Sequence, residues 1–239
     1  MTIVKRGRQV AAFILTGGAS SRMGRDKGLL DFGGVPLILH TARLIEPLVA
    51  CVTVVGTPRR YAAMGLRTIA DQDAADQGSK RIRRGPLAGI STALAATRLC
   101  WNLIVACDLP YLSGAWLDWL LSRAIQSRGQ VVIPRTGRGL EPLAAVYRRE
   151  CGAAIATALA RDVRKVTDVI EELRMDVVYQ REWSRLDPRA LVLKNMNTPG
   201  DYDEARKWWG AERLREGHSI KEPLRARKRR PRPATLQSR

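Results

Sequence analysis

A loop rich in glycine and serine occupies residues 15–27 of the 239-residue chain, where the sequence reads LTGGASSRMGRDK. Six apolar residues, 10–15, precede the loop and predict a buried strand that leads into it. Glycines allow backbone N–H groups to approach a phosphate closely and to form an anion-binding nest. Arg22 and Lys27 supply charges that can neutralise a triphosphate. The loop therefore predicts a nucleotide phosphate site, although it contains neither the Gly-Lys-Ser/Thr of a P-loop nor GxGxxG.

An aspartate ends another apolar run, in the sequence VACDLP of residues 105–110. In α/β sheets, ligands bind at the carboxyl ends of the strands. Magnesium prefers one or two protein carboxylates, with substrate phosphates and water completing its coordination. We therefore predict that Asp108 is a Mg²⁺ ligand facing the phosphate loop. A simple turn or helix-capping aspartate is the alternative.

Two asparagines, Asn195 and Asn197, come just before the dipeptide Thr198-Pro199. Alternate positions of a strand share one face, and Thr-Pro is typical of a helix start. The pair could orient a substrate phosphate or add a neutral metal ligand, and we rank Asn197 ahead of Asn195. An asparagine turn followed by a threonine cap is the competing interpretation.

A second glycine-containing helix start lies at residues 84–90, RGPLAGI. Such a start offers free backbone N–H groups and a close approach to a ligand. Four cations, Lys80, Arg81, Arg83 and Arg84, lie within five residues at this point. A solvated charged loop and a loop that lines the site explain this run equally well.

The intervening stretches predict the elements that must position these segments. Apolar runs typical of strands cover residues 10–15, 52–55, 103–107, 131–133, 143–147 and 176–179. Helices are predicted at 36–48, 87–97, 115–127, 150–161, 166–173 and 199–209. Alternation of strands and helices predicts a three-layer α/β/α sandwich with a mainly parallel, mixed sheet.

The chain divides into one domain, residues 1–214, and a basic tail, residues 215–239, that we expect to be disordered. Residues 216–239 hold eight basic and two acidic residues and lack apolar periodicity. The whole chain carries 41 Lys and Arg against 23 Asp and Glu, a net charge of +18. This charge suits nucleotides, nucleic acids and phosphorylated metabolites without choosing among them.

Composition argues against several classes of site and location. The four cysteines form no CxxC pair and there are only two histidines, which disfavours zinc sites, a disulfide scaffold and His-based nucleophilic catalysis. No run approaches the ~18 apolar residues of a membrane helix. The apolar run at 10–15 is also shorter than the roughly 7–15 residues of a signal-peptide core. We therefore predict a cytoplasmic protein without a membrane partner.

Taken in order, these segments resemble the molybdenum cofactor guanylyltransferase family. The similarity lies in LTGG at 15–18 with RMG at 22–24 and Lys27, GPLAG at 85–89, CDLP at 107–110, EPLA at 141–144 and NMNTP at 195–199. It spans roughly residues 10–210. Many nucleotidyltransferases share the opening segment, whereas its combination with GPLAG is much more specific.

The resemblance implies a Rossmann-like nucleotidyltransferase fold and transfer of GMP from GTP to a molybdenum-bearing molybdopterin, with release of pyrophosphate. It implies nucleotide contacts at Leu15, Thr16, Gly17, Lys27, Asp71 and Asp108, with Mg²⁺ as cofactor on Asp108. We assign catalytic roles to Lys27, Arg22, Asp108 and Asn197. A receiving molybdoenzyme or an insertion chaperone is a further candidate partner that the sequence cannot identify.

Two departures from the family pattern affect these expectations. The family often has an asparagine after its second strand, where this chain reads Val55-Gly56-Thr57, so that nucleotide contact is in question. The link between Asp71 and Gly85 also looks longer than usual and is strongly basic. Its role is unassigned.

Three other functions compete with guanylyl transfer. The opening loop and Asp108 would serve a cytidylyltransferase or a sugar-phosphate nucleotidyltransferase of the same fold equally well. A basic nucleic-acid-binding protein fits the pI of about 10.8, but only 5% of residues are aromatic and no RNA- or DNA-binding signature is present. A nucleotide-binding regulator without catalysis is the third, although both Lys27 and Asp108 are retained.

Overall fold

A computed structural model of the chain describes residues 9–16, 26–71 and 85–215, with side chains up to residue 211. Its strands are β1 (Val10–Leu15), β2 (Cys51–Gly56), β3 (Thr68–Ala70), β4 (Trp101–Ala106), β5 (Val131–Thr136), β6 (Gly139–Leu140), β7 (Ala144–Arg148) and β8 (Met175–Tyr179). Its α-helices are α1 (Leu37–Ile45), α2 (Pro58–Tyr61), α3 (Pro86–Ala95), α4 (Gly114–Gln126), α5 (Cys151–Ala160), α6 (Val166–Ile170), α7 (Gln180–Trp183) and α8 (Pro199–Arg215). Short 3₁₀ helices lie at Lys27–Leu29, Glu46–Leu48 and Ala62–Met64.

The eight strands form one mixed sheet in the order β3-β2-β1-β4-β7-β5-β6, with β8 paired to β5. Strands β1 to β4 pair in parallel, and β5 pairs in parallel with β8. Strand β7 is antiparallel to both β4 and β5, and β6 is antiparallel to β5. The carboxyl ends of β1, β2, β4, β5 and β8 therefore lie at the same edge of the sheet.

The two faces of the sheet pack against separate helical layers. Residues of β1 and β4 are all buried, which explains why their sequences are apolar without alternation. One face, with Ile14 and Val105, contacts apolar side chains of α1 and α4. The other, with Phe13 and Ile104, contacts α3, α5 and α6. The predicted α/β sandwich with a mainly parallel sheet is confirmed.

The C-terminal helix α8 packs beside the chain segment that follows β4. The indole Nε1 of Trp209 donates to the carbonyl of Pro110 at 2.8 Å, and the Tyr202 hydroxyl donates to the carbonyl of Asp31 at 2.8 Å. The Tyr202 and Trp209 rings make edge contacts with Phe32. These contacts bring the chain just before α8 close to the carboxyl end of β4.

Most predicted elements are present with end shifts of at most three residues, but α8 continues from the predicted end at 209 to Arg215. The prediction that Asn195 and Asn197 share a strand face is wrong, since residues 194–197 have no regular secondary structure. The tail beyond Arg215 lies outside the described residues. Among the helices that the structure describes, none is both long and apolar enough to cross a membrane.

Candidate active site

The side chains of Lys27, Asp108 and Asn197 meet at the carboxyl edge of the sheet. The Lys27 ammonium donates to Asp108 Oδ2 at 2.9 Å and to Asn197 Oδ1 at 2.7 Å. Both members of the Lys27–Asp108 ion pair are largely sheltered, with side-chain exposures of 16% and 18%. The structure thus joins three of the residues to which the sequence assigns catalysis.

The pairing of β1 with β4 explains how residues so distant in the chain come together. Leu15 is the register partner of Ala106, and the Cys107 amide donates to the Leu15 carbonyl at 3.1 Å. Asp108 follows immediately, and its own carbonyl accepts from the amide of Met196 at 2.9 Å. The end of β4 therefore fixes both the start of the phosphate loop and the segment that carries Asn197.

Asp108 has one carboxylate oxygen available for a ligand. Its Oδ2 is paired with Lys27, whereas its buried Oδ1 has no hydrogen-bond partner among the described residues. A buried carboxylate oxygen without a partner is costly unless something else satisfies it. Within 9–16, 26–71 and 85–215, no group of three or more His, Cys, Asp or Glu could hold a metal. Mg²⁺ needs only one or two carboxylates when phosphates and water supply the rest, so Asp108 fits such an ion.

The first turn of α8 holds Asn197 in place. Asp201 Oδ2 accepts from the amides of Asn197 and Thr198, both at 2.8 Å, and the Thr198 hydroxyl accepts from the Asp201 amide at 3.1 Å. The amide of Asn197 is the largest of the contributions that lower the pKa of Asp201. This reciprocal capping is the threonine cap that the sequence offered as an alternative, and it coexists with the Asn197 contact to Lys27.

A second group of predicted nucleotide contacts lies on the α3 side of the sheet. A Cβ built at Gly89 would lie 3.3 Å from Leu15 Cδ1 and 3.7 Å from Asp71 Oδ2. Gly85, with φ of 71°, comes immediately before the first turn of α3, where Pro86 is the first residue. Leu15, Asp71 and the amino end of α3 therefore surround one place, and glycine at 89 keeps it open.

Because Gly56 has no side chain, the Thr16 side chain can lie where a Cβ of residue 56 would be. The Thr16 hydroxyl donates to the Val55 carbonyl at 3.0 Å, parallel to the bond from its own amide at 2.9 Å. A Cβ at Gly56 would lie only 1.9 Å from Thr16 Oγ1. An asparagine at position 56 would overlap Thr16, so the departure from the family pattern has a steric reason.

Sequence reasoning missed the partly buried carboxylate of Asp26, next to Lys27. Asp26 accepts from the Gly28 amide at 3.0 Å, from Arg60 at 2.6 Å and from the Tyr61 hydroxyl at 2.6 Å. The carboxylate thereby caps the 3₁₀ helix that carries Lys27. The position of Asp26 next to Lys27 could have indicated a role for it in the site. Nothing local in the sequence indicates that Tyr61 contacts Asp26.

Three sequence predictions cannot be compared with the structure. Gly17 and Arg22 lie outside the described residues, as does the basic run from Lys80 to Arg84. The nucleotide contact of Gly17 and the catalytic role of Arg22 remain predictions, and both interpretations of the basic run remain open.

Cys107 adjoins Asp108 but is poorly suited to nucleophilic chemistry. Burial, followed by the charge of Asp108, raises the pKa of the Cys107 thiol well above its ordinary value. All four cysteines are free. The chemistry of this edge therefore rests on a lysine, a carboxylate and an amide, which are groups that bind phosphates and cations.

Comparison with known proteins identifies sequences similar to this chain. Residues 12–177 match the MobA-like NTP transferase domain. A molybdenum cofactor guanylyltransferase from Pseudomonas aeruginosa (strain PAO1) is 35% identical over 189 residues, which cover 78% of this chain and 89% of that protein. The match therefore extends over most of both proteins.

Solved structures show the same fold at low sequence identity. The molybdopterin-guanine dinucleotide biosynthesis protein A from Archaeoglobus fulgidus aligns with a TM-score of 0.71 at 21% identity, covering 84% of this chain and 99% of the other. A 2-C-methyl-D-erythritol 4-phosphate cytidylyltransferase from Thermus thermophilus aligns with a TM-score of 0.60 at 17% identity, covering 84% and 99%. The fold is thus shared by proteins whose names refer to different nucleotide bases, guanine and cytosine.

Proposed function

Since the chain belongs to the molybdenum cofactor guanylyltransferase family, we propose that it transfers GMP from GTP to the terminal phosphate of molybdenum-molybdopterin. A phosphate oxygen of the pterin attacks the α-phosphorus of GTP. The bond from the α-phosphorus to the oxygen that bridges to the β-phosphate breaks, and pyrophosphate leaves. The products are molybdopterin guanine dinucleotide and pyrophosphate.

Lys27 and Asp108 carry the phosphate chemistry in this proposal. Both reactants are anions, so the protein contributes mainly by positioning them and neutralising charge. The Lys27 ammonium, together with Arg22, stabilises negative charge that builds on the departing pyrophosphate. Asp108 is the residue that would hold Mg²⁺, since Lys27 leaves its Oδ1 without a partner, and the ion would neutralise negative charge on the phosphates of GTP.

Asn197 orients the attacking phosphate. Its amide oxygen accepts from Lys27 at 2.7 Å, so its amide nitrogen is the group that can donate to a phosphate oxygen. The attacking phosphate is ionised at neutral pH, and no side chain has to remove a proton from it. This accords with a site in which the described residues include no catalytic histidine, since His40 is buried and contacts the Phe32 carbonyl.

Asp71, Leu15, Thr16 and Gly17 form the guanosine side of the site. Guanine presents N1–H and N2–H₂ as adjacent donors, which one carboxylate can accept together. The Asp71 carboxylate lies near Leu15 and the amino end of α3, where backbone N–H groups can answer the guanine O6. Cytosine offers a different arrangement of donors and acceptors and leaves such a site unsatisfied.

The observation that carries this proposal is the contact of one lysine, Lys27, with both Asp108 and Asn197 at the carboxyl edge of the sheet. The deciding experiment offers purified protein all four NTPs with Mg²⁺ and the molybdopterin acceptor and measures pyrophosphate release. We expect turnover with GTP and little with CTP. Preferential turnover with CTP, or with a sugar phosphate as acceptor, would favour the other enzymes of this fold.

A cytoplasmic location is part of the proposal. Four free cysteines suit a reducing compartment.

Binding of nucleic acid is the competing role for the net charge of +18. Removing residues 216–239 and measuring salt-dependent binding to polyanions, alongside pyrophosphate release, separates that role from guanylyl transfer.

A further inference from the structure

The hydroxyl of Tyr61 binds the residue that precedes Lys27. Asp26 is the first described residue after segment 17–25. The Tyr61 hydroxyl donates to Asp26 Oδ2 at 2.6 Å. One side chain from outside the phosphate loop therefore contacts the residue next to Lys27.

Tyr61 is well placed to act as a rigid anchor. The residue is 1% exposed and packs with the apolar cluster between the sheet and helices α1 and α4. Tyrosine has few rotatable bonds, and close packing restricts those that remain. Burial, followed by the bond to Asp26, raises the pKa of the Tyr61 hydroxyl above its ordinary value, so the group remains a neutral donor throughout the physiological range.

Asp26 connects Tyr61 to the short helix that carries Lys27. While Oδ2 binds Tyr61 and Arg60, Oδ1 accepts from the Gly28 amide and so caps the 3₁₀ helix on which Lys27 lies. A hydrogen bond to a carboxylate is stronger than one between neutral groups. Rotation of the Asp26 carboxylate would release this cap and change the direction in which Lys27 leaves the backbone.

We propose that Tyr61 is a positioning residue that fastens Asp26 at the end of the phosphate loop and so places Lys27 for the nucleotide. This inference rests on the proposed function for the identity of the nucleotide, GTP. The fastening itself is independent of which nucleotide is used. Arg60, half exposed, contributes less than Tyr61 because water screens its ion pair with Asp26.

The test replaces Tyr61 with phenylalanine and uses Tyr147→Phe as the matched control. Tyr147 is also fully buried, and its hydroxyl donates to the carbonyl of Pro142 at 2.8 Å. We expect both variants to fold and to lose stability. Only Tyr61→Phe is expected to raise the KM for GTP and lower kcat, with kcat/KM reduced about tenfold, the effect of losing one charge-assisted hydrogen bond.

Amide hydrogen exchange tests the fastening without any nucleotide. In the intact protein the Gly28 amide donates to Asp26 Oδ1. We expect exchange at this amide to accelerate about tenfold in Tyr61→Phe and to change little in Tyr147→Phe. Unchanged exchange at this amide in Tyr61→Phe would overturn the inference, whatever reaction the protein catalyses.

A double-mutant cycle adds a readout that general destabilisation does not mimic. If Tyr61 acts through Asp26, then Tyr61→Phe combined with Asp26→Ala should reduce kcat/KM for GTP little more than Asp26→Ala alone. The reductions in kcat/KM caused by Tyr147→Phe and by Asp26→Ala should multiply in the double variant. If the reductions caused by Tyr61→Phe and Asp26→Ala also multiplied, the inference would be contradicted. Absence of any turnover with GTP in the intact protein would instead contradict the proposed function. The hydrogen-exchange result alone would then decide whether Tyr61 positions Asp26.

Discussion

The Lys27 ammonium lies 2.9 Å from one carboxylate oxygen of Asp108, across 81 positions of sequence. Lys27 also bonds Asn197, 170 positions away, so a single cation connects the chain after β1, the end of β4 and the segment before α8. The ion pair satisfies only Oδ2 of Asp108. The other oxygen, Oδ1, is buried and has no hydrogen-bond partner among the described residues.

Asp108→Asn is expected to reduce guanylyl transfer by about 10³-fold or more while the protein remains folded. Asparagine keeps the shape of the side chain but removes the charge that holds Mg²⁺, and metal catalysis contributes several kcal/mol. Initial rates across a Mg²⁺ titration measure the effect. Asp176→Asn is the control, because Asp176 likewise forms an ion pair at 2.9 Å, with Arg123, but lies away from the phosphate loop. Equal rates for the two variants would remove Asp108 from the mechanism.

Lys27→Ala is expected to lower kcat/KM for GTP by about 10- to 100-fold, since a charge-assisted phosphate contact contributes about 1.5–3 kcal/mol. Lys207→Ala removes the same charge from an exposed position on α8. Steady-state kinetics and GTP binding are measured for both. If the two variants lose similar, small amounts of activity, the total charge of the protein matters more than the geometry of the site.

Asp71→Ala is expected to reduce the ratio of GTP to CTP catalytic efficiencies at least about tenfold, since polar sites of this kind can discriminate by as much as ~10⁴. The carboxylate lies beside Leu15 and Gly89, where a purine edge would be read. Asp203→Ala, at an exposed position on α8, provides the control for charge. An unchanged ratio in Asp71→Ala would mean that other groups recognise guanine.

Gly56→Ala is expected to destabilise the protein by about 1–3 kcal/mol and to raise the KM for GTP, because the new methyl group overlaps the Thr16 hydroxyl. Gly210→Ala is the matched control, as a Cβ there meets no heavy atom of the described chain within 4 Å. Alanine inside helix α8 should stabilise by about 0.5–1 kcal/mol. Denaturant unfolding measures the change in stability, and steady-state kinetics measure the KM for GTP. If neither changed in Gly56→Ala, glycine would not be required at position 56.

Alkylation at pH 8 is expected to label Cys100 and to leave Cys107 unmodified in the native protein. Cys100 is exposed, whereas burial raises the pKa of the Cys107 thiol and so keeps its reactive thiolate scarce as the pH rises toward 9. Mass spectrometry after iodoacetamide treatment locates the labels, with urea-unfolded protein as the fully reactive reference. Rapid labelling of native Cys107 would show that the carboxyl end of β4 opens readily.

Local sequence determined the elements and the groups of residues that carry chemistry. Strand β1 consists of uninterrupted apolar residues, and β4 is apolar except for Asn102. The loop after β1 and the aspartate after β4 differ clearly from those runs. Alternation of strand and helix also fixed the sandwich architecture, because parallel strands need crossover helices. Strand β6 escaped prediction because two residues are too few to show a period.

Asn197 shows where the local pattern became ambiguous. Its spacing from Asn195 fitted a strand, whereas the structure has an irregular segment that is held by the cap of α8 and by the carbonyl of Asp108. Helix α8 packs against Phe32 and donates a hydrogen bond to the Pro110 carbonyl through Trp209. Those tertiary contacts hold the irregular segment beside the end of β4, and the local sequence does not show them.

Sequence alone therefore determined which residues could act, and tertiary structure determined which of them contact each other. Lys27 could be assigned to phosphate chemistry from its neighbours in the loop, but its bond to Asp108 exists because β1 and β4 are adjacent in the sheet. The contact between Tyr61 and Asp26 depends likewise on where β2 and α2 lie beside β1. Side-chain periodicity reports on burial within an element, whereas such contacts depend on strand order and register, which local periodicity does not encode.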